Sequence, residues 1–370
     1  MVGYPFTLQI IEKLFVPKQI YKDFSNVPNV TYMISAHNEE KVIKDKLENA
    51  LQLAYPKDKL EILVASDYCT DETNQIVERF INDHPNRKIR IYKSKDHKGK
   101  TNAQNEAQKT ISSEFIVMSD ANTHYKSNAI NELMATFTSD DIKYVCGSLF
   151  CINENDSLTS NSESIYWDID RRMRDIESRL SSITAGIGSI YACRTSDYVA
   201  FPPIECHDSS MPRYYVIRGG KALYNPEAIA YEKAGENDVD EFKRKVRQNR
   251  VILDMLKYSF VFFNVFKYRW YSLFWFGHRF CRYSLWLSHF ILFVCSIALS
   301  INNSIIGMIL ILAQILWLID TFVQIKYGIK NKFLRLLGYY GMTVVTQIVA
   351  IYNILTGRAK PTWEKAESTR

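Results

Sequence analysis

Residues 283–319 contain no Asp, Glu, Lys or Arg. These 37 residues are too many for one bilayer crossing, which takes roughly 20, and suit two. Asn302, Asn303 and Ser304 supply the turn between them. The second crossing is then expected over about 305–325, with Asp320 near its end. Another uncharged run covers residues 336–357. One such run could be a helix in a water-soluble core. Three in succession predict about three C-terminal transmembrane helices within 283–357, and membrane lipids as partners of the chain.

The link after the second run carries Lys326, Lys330, Lys332 and Arg335. The positive-inside rule places such a link in the cytoplasm. Two crossings earlier the chain is on the same side, so everything before Tyr283 is expected to be cytoplasmic, beneath the cell (inner or plasma) membrane. The seven cysteines form no CxxC pair and fit a reducing compartment. The tail 358–370 conflicts with this scheme. A third crossing would place it outside, yet it holds four basic residues. Either the third segment re-enters or the tail breaks the rule.

Two further segments have a membrane-surface character. Residues 256–282 mix aromatic rings with Lys267, Arg269 and Arg279, as helices lying in the interface do. Residues 1–29 read as membrane-proximal. Their apolar stretch 4–16 is interrupted by Glu12 and Lys13 and is too short to span. It suits an interfacial helix, or the end of a spanning helix. No secretory signal pattern is present in the sequence given.

The first half differs in kind. Strand-like runs at 30–36, 61–66, 88–94 and 115–120 alternate with helical stretches such as 39–53 and 71–83. This βαβ rhythm predicts an α/β domain over 30–255, with a parallel sheet and helices on its faces. Ligands of such sheets bind beyond the carboxyl ends of the strands. Polar clusters fall there: residues 36–40 (AHNEE), 66–73 (SDYCTDET) and 119–124 (SDANTH). The stretch 96–105 (DHKGKTNAQN) follows the third strand and opens a helix whose amides and lysines could face phosphates. Asp120 ends an apolar run, where a buried carboxylate needs a cationic partner. The net charge of +6 is scattered, and no zinc-finger, RNA-recognition or basic-zipper pattern occurs. No nucleic-acid partner is expected.

Together these clusters resemble the membrane-bound family-2 glycosyltransferases of the GT-A fold. That group includes cellulose and hyaluronan synthases and bacterial exopolysaccharide transferases. The resemblance runs from about Val30 to Arg250, then through the membrane segments to the final WEKAESTR. It implies a GT-A (Rossmann-like) nucleotide-sugar transferase domain. Ala36, His37, Asn38, Glu39 and Asp67 would line the nucleotide pocket, with Asp67 on the uracil or ribose. Asp120 would hold a Mg²⁺ or Mn²⁺ ion, assisted by the amide oxygen of Asn122, which stands where the family has a second Asp. His124 is either a further ligand or a solvated turn residue. Lys100, Arg244 and Arg247 would contact the diphosphate. Asp208 would be the catalytic base, with His207 where an acid is commoner; capping of a helix is the competing role for Asp208. Trp167 either faces a sugar or belongs to a scaffold helix over 163–180.

The expected activity is inverting transfer from a nucleotide-sugar, a UDP-sugar, to a saccharide or lipid-linked acceptor in polysaccharide or glycoconjugate synthesis. Two alternatives stand beside it: a processive synthase that secretes its own chain, and a catalytically weakened nucleotide-sugar-binding membrane subunit.

Overall fold

The computed structural model describes residues 3–15, 19–152, 158–233, 238–327 and 331–362. The chain divides into two compact units. One holds residues 2–234 and 361–370, the other residues 235–360.

The first unit opens with α1 (Gly3–Phe15). Alternation then proceeds through β1 (Val30–Ala36), α2 (Ile43–Leu51), β2 (Leu60–Ser66), α3 (Thr73–Asp83), β3 (Ile89–Lys93), α4 (Lys100–Gln108) and β4 (Phe115–Asp120). All seven residues of β1 are buried, as expected of a parallel strand covered on both faces. Beyond β4 come β5 (Thr123–Tyr125), α5 (Ala129–Ala135), β6 (Ile142–Ile152), α6 (Leu158–Leu180), β7 (Tyr191–Arg194), α7 (His207–Ile217) and β8 (Lys221–Lys233). Among the described residues the eight strands form one sheet, in the order β3-β2-β1-β4-β7-β6-β8-β5.

The sheet is mixed rather than wholly parallel. β1 through β4 pair in parallel, but β7 runs antiparallel to β4 and β6, and β5 antiparallel to β8. The strand–helix alternation is interrupted once, after Asp120. Only two residues separate β4 from β5, too few for a parallel crossover, which takes a dozen or more.

α1 packs within this unit. Leu8 and Ile11 are buried, Tyr4 donates to Glu177 Oε1 at 2.6 Å, and Glu12 pairs with Arg179 at 2.6 Å. The tail also returns here. Gly99, with φ +93°, lies so close to Pro361 that a Cβ would stand 2.7 Å from the Pro361 carbonyl oxygen. The side chain of Trp167 and the WEKAESTR segment fall outside the described residues.

The second unit is helical. α8 (Asp238–Gln248) is followed by α9 (Ile252–Phe262), α10 (Val265–Tyr268), α11 (Trp270–Phe274), a π-helical turn at Trp275–Phe280 and α12 (Cys281–Tyr283). The segment 256–282 is therefore a series of short pieces. Buried Phe262 meets Tyr271 and Trp275 at centroid distances of 4.9 and 4.4 Å, while Phe260 and Phe266 are exposed. α13 (Leu285–Ile301), α14 (Ile305–Tyr327) and α15 (Lys332–Leu355) complete it. Ile305–Tyr327 and Phe333–Leu355 are long and apolar enough to cross a membrane. There are three such spans if Trp270–Tyr283 and Leu285–Ile301, bent by 61°, count as one. Within this unit α15 packs along α8: Lys245 Nζ lies 4.4 Å from the Tyr339 ring centre, and Asn249 Nδ2 donates to Thr346 Oγ1 at 3.4 Å.

Candidate active site

Parallel pairing brings the polar clusters together. Ala36 is opposite Ser66, and Ser35 opposite Asp120. The turn after β1 is joined to the turn after β2. Asn38 adopts φ 55°, and its Oδ1 accepts the Thr70 N–H at 2.7 Å. The Glu39 N–H donates to Thr73 Oγ1 at 2.7 Å, and its carbonyl accepts from Val42 and Ile43. The Ala36 carbonyl accepts the Asp67 N–H at 2.9 Å. Asn38 and Glu39 thus shape the turns that carry the pocket.

Asp67 is 2 % exposed. Its Oδ1 accepts the Lys98 N–H at 3.3 Å, and His97 Nδ1 meets its Oδ2 at 2.8 Å. The His97 ring stacks on His37, with centroids 4.0 Å apart and planes 9° from parallel. The three side chains could each offer one ligand atom to a metal, all within 4.8 Å of one another. Two parallel stacked rings, however, direct their in-plane lone pairs alongside one another rather than toward one ion. The arrangement suits a planar partner better than a metal. His97 was not singled out from sequence; its one signal is its place just before the Lys98-Gly99-Lys100 turn.

Lys100 begins α4, and its Nζ donates to Asp120 Oδ1 and, at 3.3 Å, to the Gly188 carbonyl. Asp208 is part of the same cluster. A Cβ at Gly188 would lie 3.5 Å from Asp208 Cγ and 3.7 Å from Lys100 Nζ. Burial alone would pull the Lys100 ammonium down, but Asp120, then Asp208, outweigh it and hold it above the ordinary lysine range. Asp208 stands in the first turn of α7, and Cys206 is the N-cap. Glu205 is committed to buried Arg213, at 2.5 Å.

His207 points away from this cluster. It is 2 % exposed, with Nδ1 2.9 Å from Gln104 Oε1 and Nε2 2.9 Å from the Tyr198 hydroxyl. Burial, then the Lys100 charge, push its imidazole down to about 3. The ring is neutral and anchors α4.

Behind the turn after β4 lies Lys46, fully buried. Its Nζ donates to the Tyr32 hydroxyl at 2.6 Å, to Ser119 Oγ at 2.7 Å and to the Thr123 carbonyl. Burial pulls this ammonium down to about 7 against the pull of Asp120 and Glu232. His124 is not a solvated turn residue. It is half-buried on β5, opposite Tyr231, and burial, then Lys46, lower its pKa.

The residues around Asp120 fit a divalent cation. Asp120 already holds a positive charge, the Lys100 ammonium. Asn122 and Ser189 add oxygens, giving the hard donor set that Mg²⁺ and Mn²⁺ prefer. Asn122 Nδ2 donates to Glu232 Oε1 at 2.8 Å, which leaves Oδ1 as the amide's ligating end. Of the residues expected from sequence, Ala36, His37, Asn38, Glu39, Asp67, Lys100, Asp120, Asn122 and Asp208 share the sheet unit. Arg244 and Arg247 lie on α8, in the helical unit.

A mixed sheet with polar clusters at these strand ends has the architecture of the GT-A fold, and the comparisons agree. The family model for glycosyl transferase family 2 matches residues 31–198. Over that stretch the chain is similar to the family-2 glycosyltransferases. It is 33 % identical over 121 residues to the probable glycosyltransferase YdaM of Bacillus subtilis, covering 32 % of this chain and 29 % of that one. It is 29 % identical over 124 residues to the poly-β-1,6-N-acetyl-D-glucosamine synthase of Staphylococcus epidermidis, covering 33 % and 29 %. The matched stretch thus spans less than a third of either relative. Among solved structures, the mannosyltransferase PcManGT of Pyrobaculum calidifontis, in complex with GDP-Man and Mn²⁺, shares the fold. The TM-score is 0.72 over 96 % of both chains, at 17 % identity.

Proposed function

We propose that the protein transfers a sugar, with inversion, from a UDP-sugar to a saccharide or lipid-linked acceptor at the cytoplasmic face of the cell membrane. One observation carries this reading: Asp120, Lys100 and Asp208 converge at the carboxyl ends of the parallel strands, in the same unit as the Asp67 pocket. Asp67 accepts an N–H of the base, and the His37–His97 stack lies beside it. Lys100 exchanges Asp120 for the diphosphate. Asp208 takes the proton of the acceptor hydroxyl as its oxygen bonds the anomeric carbon and the carbon–phosphate oxygen bond breaks, releasing UDP. Asp120 and Asn122 would hold a Mg²⁺ or Mn²⁺ ion, which would supply positive charge to the leaving diphosphate.

The Staphylococcus relative is a polymer synthase, which supports polysaccharide synthesis as the setting and processive addition as the second reading. The test uses the full chain in detergent, a panel of UDP- and GDP-sugars, and release of free nucleotide with and without EDTA. Release is expected with a UDP-sugar only, lost in EDTA and reduced by orders of magnitude in Asp120→Ala. Full turnover in EDTA overturns the metal role, and turnover with GDP-sugars alone overturns the choice of base.

A further inference from the structure

The turn after β4 lacks a charge. An Asp-x-Asp turn would bring two carboxylates to a divalent cation, whereas Asp120-Ala121-Asn122 brings one. The surroundings make the shortage worse. Lys100 lies on Asp120, and Lys46 is buried behind Ser119 and Thr123 with no carboxylate among its described hydrogen-bond partners.

The sheet supplies a carboxylate from elsewhere. β5 runs antiparallel to β8, and the register sets Thr123 opposite Glu232, one residue past Asn122. Glu232 Oε1 accepts from Asn122 Nδ2 at 2.8 Å. A carboxylate can only accept, so this contact fixes which end of the amide faces Glu232. Ser189 Oγ stands 3.3 Å from Asp120 Oδ2 and 3.4 Å from Glu232 Oε2, between the two acids.

We propose that Glu232 completes the cation site: it holds the Asn122 amide with Oδ1 free to ligate, and it supplies the second negative charge that residue 122 does not. This rests on the reading of Asp120 and Asn122 as the cation ligands. Glu232 is a positioning residue here, acting through Asn122.

The test is Mn²⁺ affinity in the presence of UDP, read from the electron paramagnetic resonance of free Mn²⁺, which does not depend on turnover. Glu232→Gln keeps an acceptor for Asn122 Nδ2 but removes the charge. Its Mn²⁺ Kd is expected to rise about 10–100-fold, the range for residues that support a metal's ligands. Adding Asn122→Asp to that variant returns the carboxylate to the turn and is expected to recover most of the loss. Wild-type affinity in E232Q overturns the proposal, as does a folded double variant no tighter than E232Q. Should E232Q fail to fold, the double variant must fold and bind Mn²⁺; failure of both also overturns it. A wild-type protein that binds UDP but no Mn²⁺ fails the reading of the cation site itself, and the role of Glu232 with it.

Discussion

His207 makes a stability difference that can be calculated. Its side chain is 2 % exposed, and burial, then Lys100, hold its pKa at about 3. An unfolded chain titrates this histidine near 6.5. The folded pKa is therefore depressed, so between these values the unfolded state binds more protons. Stability from this group is complete above the unfolded pKa and is lost as pH falls toward the folded one. At pH 5 the unfolded state is favoured by a factor of about 30, or about 2 kcal/mol, relative to neutral pH. For a unit of this size that corresponds to a fall in Tm of roughly 4–8 °C. His207→Gln can donate to Gln104 Oε1 and accept from Tyr198 without titrating. The assay is thermal unfolding of the detergent-solubilised chain from pH 5 to pH 8, for wild type and H207Q. The variant is expected to be less stable at neutral pH, because its packing is poorer, but its slope between pH 5 and pH 7 should be shallower by about 2 kcal/mol. Parallel slopes would refute the reasoning. A carboxylate at 207 would meet Gln104 Oε1 with no proton to give.

Two predictions concern function and placement. Asp208→Asn should bind UDP as wild type does but lose sugar transfer by roughly 10²–10⁴-fold, the range for a missing general base; near wild-type transfer would remove Asp208 from the mechanism. A cysteine placed at Lys98 should not react with an impermeant reagent added to intact cells but should react after lysis; labelling from outside would rule out a cytoplasmic catalytic unit.

Legibility from sequence depended on how local each signal was. β1 and β4 are readable to the residue, 30–36 and 115–120, because strands covered on both faces are near-continuous apolar runs. The helix after β1 starts later than the apolar rhythm implies, at Ile43 rather than residue 39. Asn38 is at positive φ, and Glu39 is spent on the turn. Asp67, Lys100 and Asp120 sit at ends of strands and helices, so order along the chain identifies them. Glu232 is 110 residues from Asn122, and only the β5–β8 pairing unites them. Lys46 reads as one more charged residue on an amphipathic helix, although its long side chain ends in the core. His207 reads as a substituted catalytic acid, because its partners Gln104 and Tyr198 come from separate segments.

The seat of Pro361 against Gly99 sets a parity condition. The chain leaves the sheet unit after residue 234 and rejoins it at Pro361. An excursion that begins and ends on one side of a bilayer must cross it an even number of times, a condition that two of the candidate spans together would meet. Crossing by α14 and α15 would leave the link with Lys326, Lys330, Lys332 and Arg335 on the far side, against the positive-inside rule. Crossing by α13, continued through its bent partner, and α14 returns that link to the starting side. α15, held against Lys245 of α8 and against Asn249 just beyond it, then need not cross.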